Sequence, residues 1–382
     1  MRLLVVAFFA FVFSSFADLE VHEWGSINIV TGEDSVRVGD ISDDQSDLPN
    51  FVEVWKKQAV VRPMVIEKPI LYFYTQKAQN INVSVTYPHG VFTQWWPKPN
   101  SFYPYPPRPG QKAAIKGGML NWRVALDPQG KFDKAMPNMD NHPWWNTARD
   151  VDAATVRELR SNGTEKFLFY RGAGQFTPTL NVSVNDEGKF VLKNKENTNS
   201  REVYTIHVEE GQKPLIHYLP SIKDEDQKNK KVFNSADDAA AHLKARLEAK
   251  GLFPKEAAGM VKIWKKSMFE KIGQRAMYMM EKADIDKMLP LRIHPKPTKE
   301  VRVMLIRFEC LSLSVKSMIK NYIKQLGAKS YKDRKMAKEK LIEAGRVGEA
   351  VIRTALSEAK DPEVKMSLKE VLKKLTPKNP NP

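Results

Sequence analysis

The stretch ILYFYTQKAQNINVSVTYPHGVFTQWW, residues 70–96, decides the fold of the N-terminal half of the chain. It contains three runs rich in aromatic and β-branched residues, 70–75, 81–87 and 91–96, in which apolar positions recur with a period of two. Such a period is typical of β-strands that bury one face. Pro88-His89-Gly90 separates the second and third runs, and these residue types indicate a hairpin turn.

Five further runs of the same kind extend the pattern to residue 221. They lie at residues 167–170, 180–184, 190–192, 203–208 and 215–219. The prolines between residues 97 and 109 exclude a central strand there, because proline lacks the N–H that a sheet ladder needs. We therefore expect roughly nine strands that form an antiparallel β-sandwich-like region over residues 18–221.

Helical and strand-like patterns alternate after residue 221, which predicts an α+β protein. Two helices start at Ser235 and Pro254, and two strand-like runs, which we expect to pair, span residues 276–280 and 301–308. Residues 289–297 predict a rigid connector that contains prolines. Residues 232–309 are thus expected to form a mixed α/β segment that packs on the β-rich domain.

Residues 310–377 predict a C-terminal helical module. Its last helix starts at Pro362 and then repeats apolar residues at helical spacing. Lys365, Lys369 and Lys373 follow one another at steps of four, so they form a positive stripe along one face of this helix.

The start of the chain predicts export. Arg2 precedes an unbroken apolar run at residues 3–13, and small residues precede Asp18. We expect residues 1–17 to be a signal peptide that is cleaved after Ala17, which places the protein outside the cytoplasm, secreted or periplasmic. The alternative is a membrane anchor, but the uncharged stretch is shorter than the roughly 18 residues that a spanning helix needs. We expect no transmembrane segment after cleavage.

Composition excludes several classes of protein. The chain has 382 residues, of which 42% are hydrophobic, and a mean hydropathy of −0.47, which together exclude wholesale disorder and a polytopic membrane protein. The single cysteine, Cys310, excludes an intramolecular disulfide framework and a CxxC centre. We expect no metal site and no cofactor, and we interpret Cys310 as a buried small hydrophobic residue.

The positive charge is concentrated in the last third of the chain. Residues 1–250 hold 31 Lys+Arg and 30 Asp+Glu, whereas residues 251–382 hold 30 and 15, a net charge of +15. A module that carries an excess of positive charge favours a polyanion or an acidic protein as its binding partner. We expect a protein or an anionic envelope polymer as partner, and no specific nucleic acid. The alternative is that these lysines only form a solvated helical face.

Two resemblances support this organisation. Residues 330–375, with a break at Gly345 and a helix start at Asp361, resemble a HEAT-type helical hairpin repeat, which implies a stacking or protein-binding surface. His22-Glu23-Trp24-Gly25 resembles the opening motif of a family of uncharacterised exported bacterial proteins. Further matching stretches lie at residues 67–74, 148–153, 165–172, 251–257 and 289–293. This second resemblance implies no established activity, so it assigns no catalytic residue.

Few residues are candidates for chemistry. His22 and Glu23 are adjacent, so on a strand they point to opposite faces and do not serve one site. His22 with Asp150 or Asp152 would form an acid–base or metal-binding set if the fold brought them together. The alternative is that His22 and Glu23 satisfy buried polar groups beside Trp24.

Arg171 lies at the end of the most apolar predicted strand. Its guanidinium group is suited to a bidentate pair with a carboxylate or a phosphate. The alternative is that it clamps an internal acid such as Glu165.

Six aromatic residues near prolines are candidates for contact with a sugar or polymer, because flat rings stack on pyranose faces. They are Trp95, Trp96, Tyr103, Tyr105, Trp144 and Trp145. The alternative is that they plug the end of the sandwich.

The sequence therefore predicts an exported binding and interaction protein whose basic helical end docks anionic or protein partners. One competing hypothesis is a hydrolase that acts on an envelope glycan through carboxylates among Glu23, Asp150 and Asp152, and another is that the helical end only covers an exposed edge of the sheet and binds nothing. Such an enzyme requires an acid pair about 5–10 Å apart in a cleft.

Overall fold

The computed structural model describes residues 19–31, 37–38, 48–54, 64–105, 116–139, 142–185, 187–194, 202–222 and 229–375. The expected signal peptide and its cleavage site lie outside the described residues.

The described chain contains strands throughout residues 19–310 and helices mostly after residue 236. The strands are β1 (Leu19–Thr31), β2 (Arg37–Val38), β3 (Glu53–Val54), β4 (Met64–Thr75), β5 (Gln79–Tyr87), β6 (Gly90–Trp96), β7 (Ser101–Tyr103), β8 (Gly118–Asp127), β9 (Thr155–Glu158), β10 (Thr164–Glu165), β11 (Leu168–Gly174), β12 (Leu180–Val184), β13 (Phe190–Asn194), β14 (Val203–Val208), β15 (Leu215–Leu219), β16 (Lys231–Phe233), β17 (Gly273–Met279), β18 (Leu291–His294) and β19 (Lys299–Cys310). The helices are α1 (Pro143–Arg149), α2 (Ala236–Ala249), α3 (Pro254–Lys265), α4 (Lys282–Met288), α5 (Leu313–Gln325), α6 (Tyr331–Glu343), α7 (Glu349–Glu358) and α8 (Pro362–Leu375). The α+β prediction is confirmed.

The large sheet has eleven strands, with β1 and β19 near its middle. Its order is β16-β15-β14-β17-β19-β1-β4-β11-β6-β3, and β2 pairs with β1. The expected pairing of residues 276–280 with 301–308 is present as the antiparallel pair of β17 and β19. β19 also runs parallel to β1 along its whole length. The segment after residue 232 therefore supplies central strands of the sheet that the N-terminal region begins.

The small sheet covers one face of the large sheet and makes the expected sandwich. Its order is β10-β9-β8-β5-β18, and β7 pairs with β8. The core between the sheets contains Val21 and Phe73 from the large sheet and Val83 and Trp122 from the small one. The connector expected over residues 289–297 contains a short strand, β18, which pairs with β5 because only its flanks carry prolines.

Helices cover the other face of the large sheet. Trp24 and Tyr72 from the sheet pack there with Leu243 of α2 and with Met260 and Trp264 of α3. The helix predicted to start at Pro254 is α3, and the chain continues from its end as a π-helical turn over Lys266–Glu270.

Helices α5–α8 form a module with its own core. α5 packs on α6 and on α7, and α8 packs on α7 and on α6, so two helical hairpins stack on each other. Ile319, Leu341, Ile352 and Leu368, one from each helix, meet in that core. Within the described part of the chain, every helix is too short or too polar to cross a bilayer.

Candidate functional site

His22 points to the helix-covered face of the large sheet, where it joins β1 to α3. Its Nδ1 lies 2.6 Å from Oε2 of Glu256, and its Nε2 lies 2.7 Å from Oε1 of Glu20. The ring is fully buried and packs against Phe253 with 4.5 Å between ring centroids. Burial, and then the charge of Glu256, raises the pKa of the neighbouring Tyr74. The imidazole is therefore an internal bridge between two carboxylates.

Glu23 points to the opposite face, as adjacent positions on a strand require. It lies in the core between the sheets, 2.6 Å from a guanidinium nitrogen of Arg302, and it accepts a hydrogen bond from the hydroxyl of Tyr170. Arg302 also lies 2.8 Å from Asp286, which is paired with Lys282. Burial lowers the pKa of Arg302, but the charges of Glu23 and Tyr170 and the hydrogen bonds to Asp286 and Glu23 together outweigh burial, so the pKa is raised overall. Glu23 is therefore committed to an internal ion pair.

The next two residues of this motif also serve packing. Trp24 is fully buried and meets Trp264 edge to face, with 5.7 Å between ring centroids. Gly25 lies so close to β4 that an added Cβ would stand 3.0 Å from Cα of Pro69. The alternative that we gave for His22 and Glu23, satisfaction of buried polar groups beside Trp24, agrees with this geometry.

Asp150 and Asp152 lie at the surface and do not join the residues of β1. Asp152 forms a salt bridge of 2.5 Å with Lys255, and its hydrogen bond raises the pKa of that lysine. His22 bonds to other acids, and Glu23 is buried on the opposite face of the sheet. The carboxylates of the hydrolase hypothesis thus do not gather in one cleft.

Arg171 is mostly buried on β11, with its guanidinium carbon 5.9 Å from the centre of the Phe169 ring. The internal acid Glu165 is held instead by Arg149 at 2.7 Å and by the indole N–H of Trp145 at 2.8 Å. The sequence suggested that Arg171 clamps Glu165 or another internal acid; for Glu165 itself, α1 supplies a second arginine, Arg149.

The four candidate tryptophans lie within the fold. Trp95 and Trp145 are buried, and the indole N–H of Trp95 donates to Glu53 at 3.1 Å. Trp96 and Trp144 are half-buried and take part in aromatic packing. The burial of these four side chains agrees better with packing at the end of the sandwich than with contact to a sugar.

The two candidate tyrosines are different, because Tyr103 is 46% exposed and Tyr105 is 64% exposed. Tyr105 packs against Phe102 of β7, with 5.5 Å between ring centroids. They are the aromatic candidates that remain accessible to a ligand.

Lys365, Lys369 and Lys373 are all exposed on α8. They form the stripe that their spacing predicts, on a face of the helix other than the one that packs into the module. Of the candidate residues, these three make the most continuous accessible surface.

Sequence reasoning missed two arginines and a histidine on the small sheet. Arg123 lies on β8, and Arg292 and His294 lie on β18, all exposed on the outer face. Polar residues that alternate with apolar ones along a strand indicate a solvent-exposed face, so this face was in principle predictable. It was missed because residues 289–297 were interpreted as a connector and not as a strand.

No family model, curated protein or solved structure matches the chain. Among the described residues, no group of three or more His, Cys, Asp or Glu side chains is arranged to hold a metal ion.

Proposed function

We propose that the protein is an exported binding and interaction protein whose helical module docks on an acidic protein partner through α8. The observation that carries the proposal is the exposed stripe of Lys365, Lys369 and Lys373. Export follows from the sequence of residues 1–17 alone and is part of the proposal.

The charge of the stripe is not neutralised by its own module. Residues 313–375 hold sixteen basic and eight acidic residues, a net charge of +8. Glu363 and Glu370 of α8 are paired with Arg334 and Lys338 of α6 at 2.8 and 2.6 Å. Glu363 lies on a flank of α8 away from the stripe, whereas Glu370 precedes Lys373 by three residues and flanks the end of the stripe, but its carboxylate is engaged by Lys338. The stripe is thus free to attract an acidic surface over about 8–10 Å at physiological ionic strength.

A protein surface fits this face better than a uniformly charged polymer. Met366 is 57% exposed, and Lys369 and Lys373 follow it by three and seven residues, so they share a face of the helix. Methionine is a flexible apolar side chain that adapts to varied protein surfaces. An anionic envelope polymer, the other partner class considered, would use the lysines but leave this apolar contact unused.

The test is binding of the full chain to fluorescent poly-L-glutamate, which stands for an acidic protein surface, from about 50 to about 500 mM salt. We expect the affinity to fall steeply with salt. The triple substitution Lys365→Gln, Lys369→Gln, Lys373→Gln should weaken binding about tenfold, because three exposed ion pairs contribute about 0.5 kcal/mol each.

The matched control removes three exposed lysines elsewhere: Lys213→Gln, Lys230→Gln and Lys262→Gln. It should leave the affinity for poly-L-glutamate within about twofold of the original. Equal losses in both triple variants, or an affinity that does not change with salt, would show that α8 is not the docking site.

A further inference from the structure

The outer face of the small sheet carries polar side chains in two rows across the strands. In one row His294 of β18 pairs with Asn82 of β5, which pairs with Arg123 of β8. The second row runs from Arg292 to Ser84, Asn121 and Ser101. Neighbouring strands lie about 4.8 Å apart, so the longer row spans roughly 14 Å. The two rows form a flat polar strip.

The strip is open and positive. Asn82, Arg123, Arg292 and His294 are exposed, and Ser84 is half-buried. The side chains of the two rows are guanidinium, imidazole, amide and hydroxyl groups, with no carboxylate among them. A ligand that carries both negative charge and hydroxyl groups would complement this combination.

A cavity of about 440 Å³ adjoins the strip. Its lining includes Lys98, Asn100, Ser101, Phe102, Tyr105, Glu158 and Arg160. The side chain of Asn100 accepts a hydrogen bond from the backbone N–H of Arg123, so the cavity is fixed to the first row of the strip. The cavity therefore combines basic side chains, Lys98 and Arg160, with aromatic rings, Phe102 and Tyr105.

Glu158 gives the cavity a buried acceptor. Its residue is 1% exposed, and one carboxylate oxygen, Oε2, accepts from the backbone N–H groups of Arg160 and Ser161. The other oxygen, Oε1, is buried and has no hydrogen-bond partner among the described residues. Buried polar atoms are normally satisfied, so a donor from a ligand or from water is expected here. A sugar hydroxyl is such a donor, whereas a phosphate or carboxylate oxygen is not.

We propose that this surface, the strip with its cavity, binds a linear polysaccharide that carries carboxylates. Arg123 and Arg292 bind the carboxylates as bidentate forks, and the amides and hydroxyls of the strip bind sugar hydroxyls. The exposed ring of Tyr105 stacks on a sugar face at the mouth of the cavity. The site lies on the small sheet and does not depend on docking through α8.

The test uses the full chain and polygalacturonate as the probe. Two further polymers serve as controls: fully methyl-esterified polygalacturonate, which has the same backbone without charge, and polyphosphate, which has charge without sugar. We expect polygalacturonate to bind at least about tenfold more tightly than either control. Equal binding of polyphosphate, or no binding of polygalacturonate, overturns the proposal.

Variants locate the site. Arg123→Gln with Arg292→Gln should weaken polygalacturonate binding about tenfold, and Tyr105→Ala should weaken it several-fold. The charge-matched control, Lys213→Gln with Lys262→Gln, removes two exposed lysines that belong to neither proposed site and should change it less than about twofold. An equal loss in the control means that only net charge matters, which overturns the proposal. Binding to poly-L-glutamate should not respond to the arginine variant, so failure of this site is distinguishable from failure of docking through α8.

Discussion

Substitution of Arg302 by methionine is expected to lower the free energy of unfolding by about 3–5 kcal/mol, because it leaves the carboxylate of Glu23 buried without its cation. Both side chains are fully inaccessible to solvent, with 2.6 Å between the paired atoms. Two unit charges about 4 Å apart attract by about 4 kcal/mol at an effective dielectric constant of about 20. A domain is typically stable by only about 5–15 kcal/mol, so the loss is large.

The double substitution Glu23→Gln with Arg302→Met removes both charges and keeps an oxygen that can accept from Tyr170. It should cost less than the sum of the two single substitutions, by about 1–3 kcal/mol, because no unpaired charge remains. Urea unfolding followed by tryptophan fluorescence measures the free energy of unfolding of each variant. The exposed Lys262→Met is the control and should change stability by less than about 0.5 kcal/mol. If Arg302→Met cost under about 1 kcal/mol, or if the two single effects were additive, the structural role of this pair would be refuted.

Three further predictions concern stability and reactivity. Burial raises the pKa of Glu309, but the charges of Arg307, Arg275 and Lys271 and the hydrogen bond from Arg275 together outweigh burial and lower it overall. The unfolded chain therefore binds the proton more readily, and stability that is present above about pH 4.5 should be lost in acid. Glu309→Gln should flatten this dependence in unfolding measured from about pH 3 to 6, and parallel curves would contradict it. Burial raises the pKa of the Cys310 thiol to about 12, so a thiol reagent at about pH 8 should modify it in urea but not in the folded protein; rapid labelling of the folded protein would contradict this. Gly25→Ala should destabilise the protein by about 1–3 kcal/mol in the same unfolding assay, because its Cβ would meet the backbone of β4 at 3.0 Å; an unchanged midpoint would show that the strands separate easily.

Local features were predictable from the sequence, because they depend on neighbours along the chain. Alternation over residues 70–96 predicted three strands and the turn at Pro88-His89, which separates β5 from β6. Strand geometry alone placed His22 and Glu23 on opposite faces. The same holds for the lysine stripe, since a step of four fixes one face of a helix.

The partners of the buried charges were not predictable, because they come from distant parts of the chain. β1 lies beside β19, which begins 279 positions after Glu20 at Lys299. His22 bonds to Glu256 on a helix, and Glu23 pairs with Arg302 on a strand. No local pattern specifies these pairings. An acid in an unfamiliar motif therefore suggested catalysis, although its tertiary contacts are those of an ion pair in the core.

Hydrogen–deuterium exchange of the full chain, with and without poly-L-glutamate, tests the central proposal most directly. Exchange locates the bound region without any substitution. Docking through the helical module predicts slower exchange of backbone amides within residues 362–375, and this protection should vanish at about 500 mM salt. Saturating binding with no protection of α8, or with protection confined to residues 19–310, would contradict the proposal.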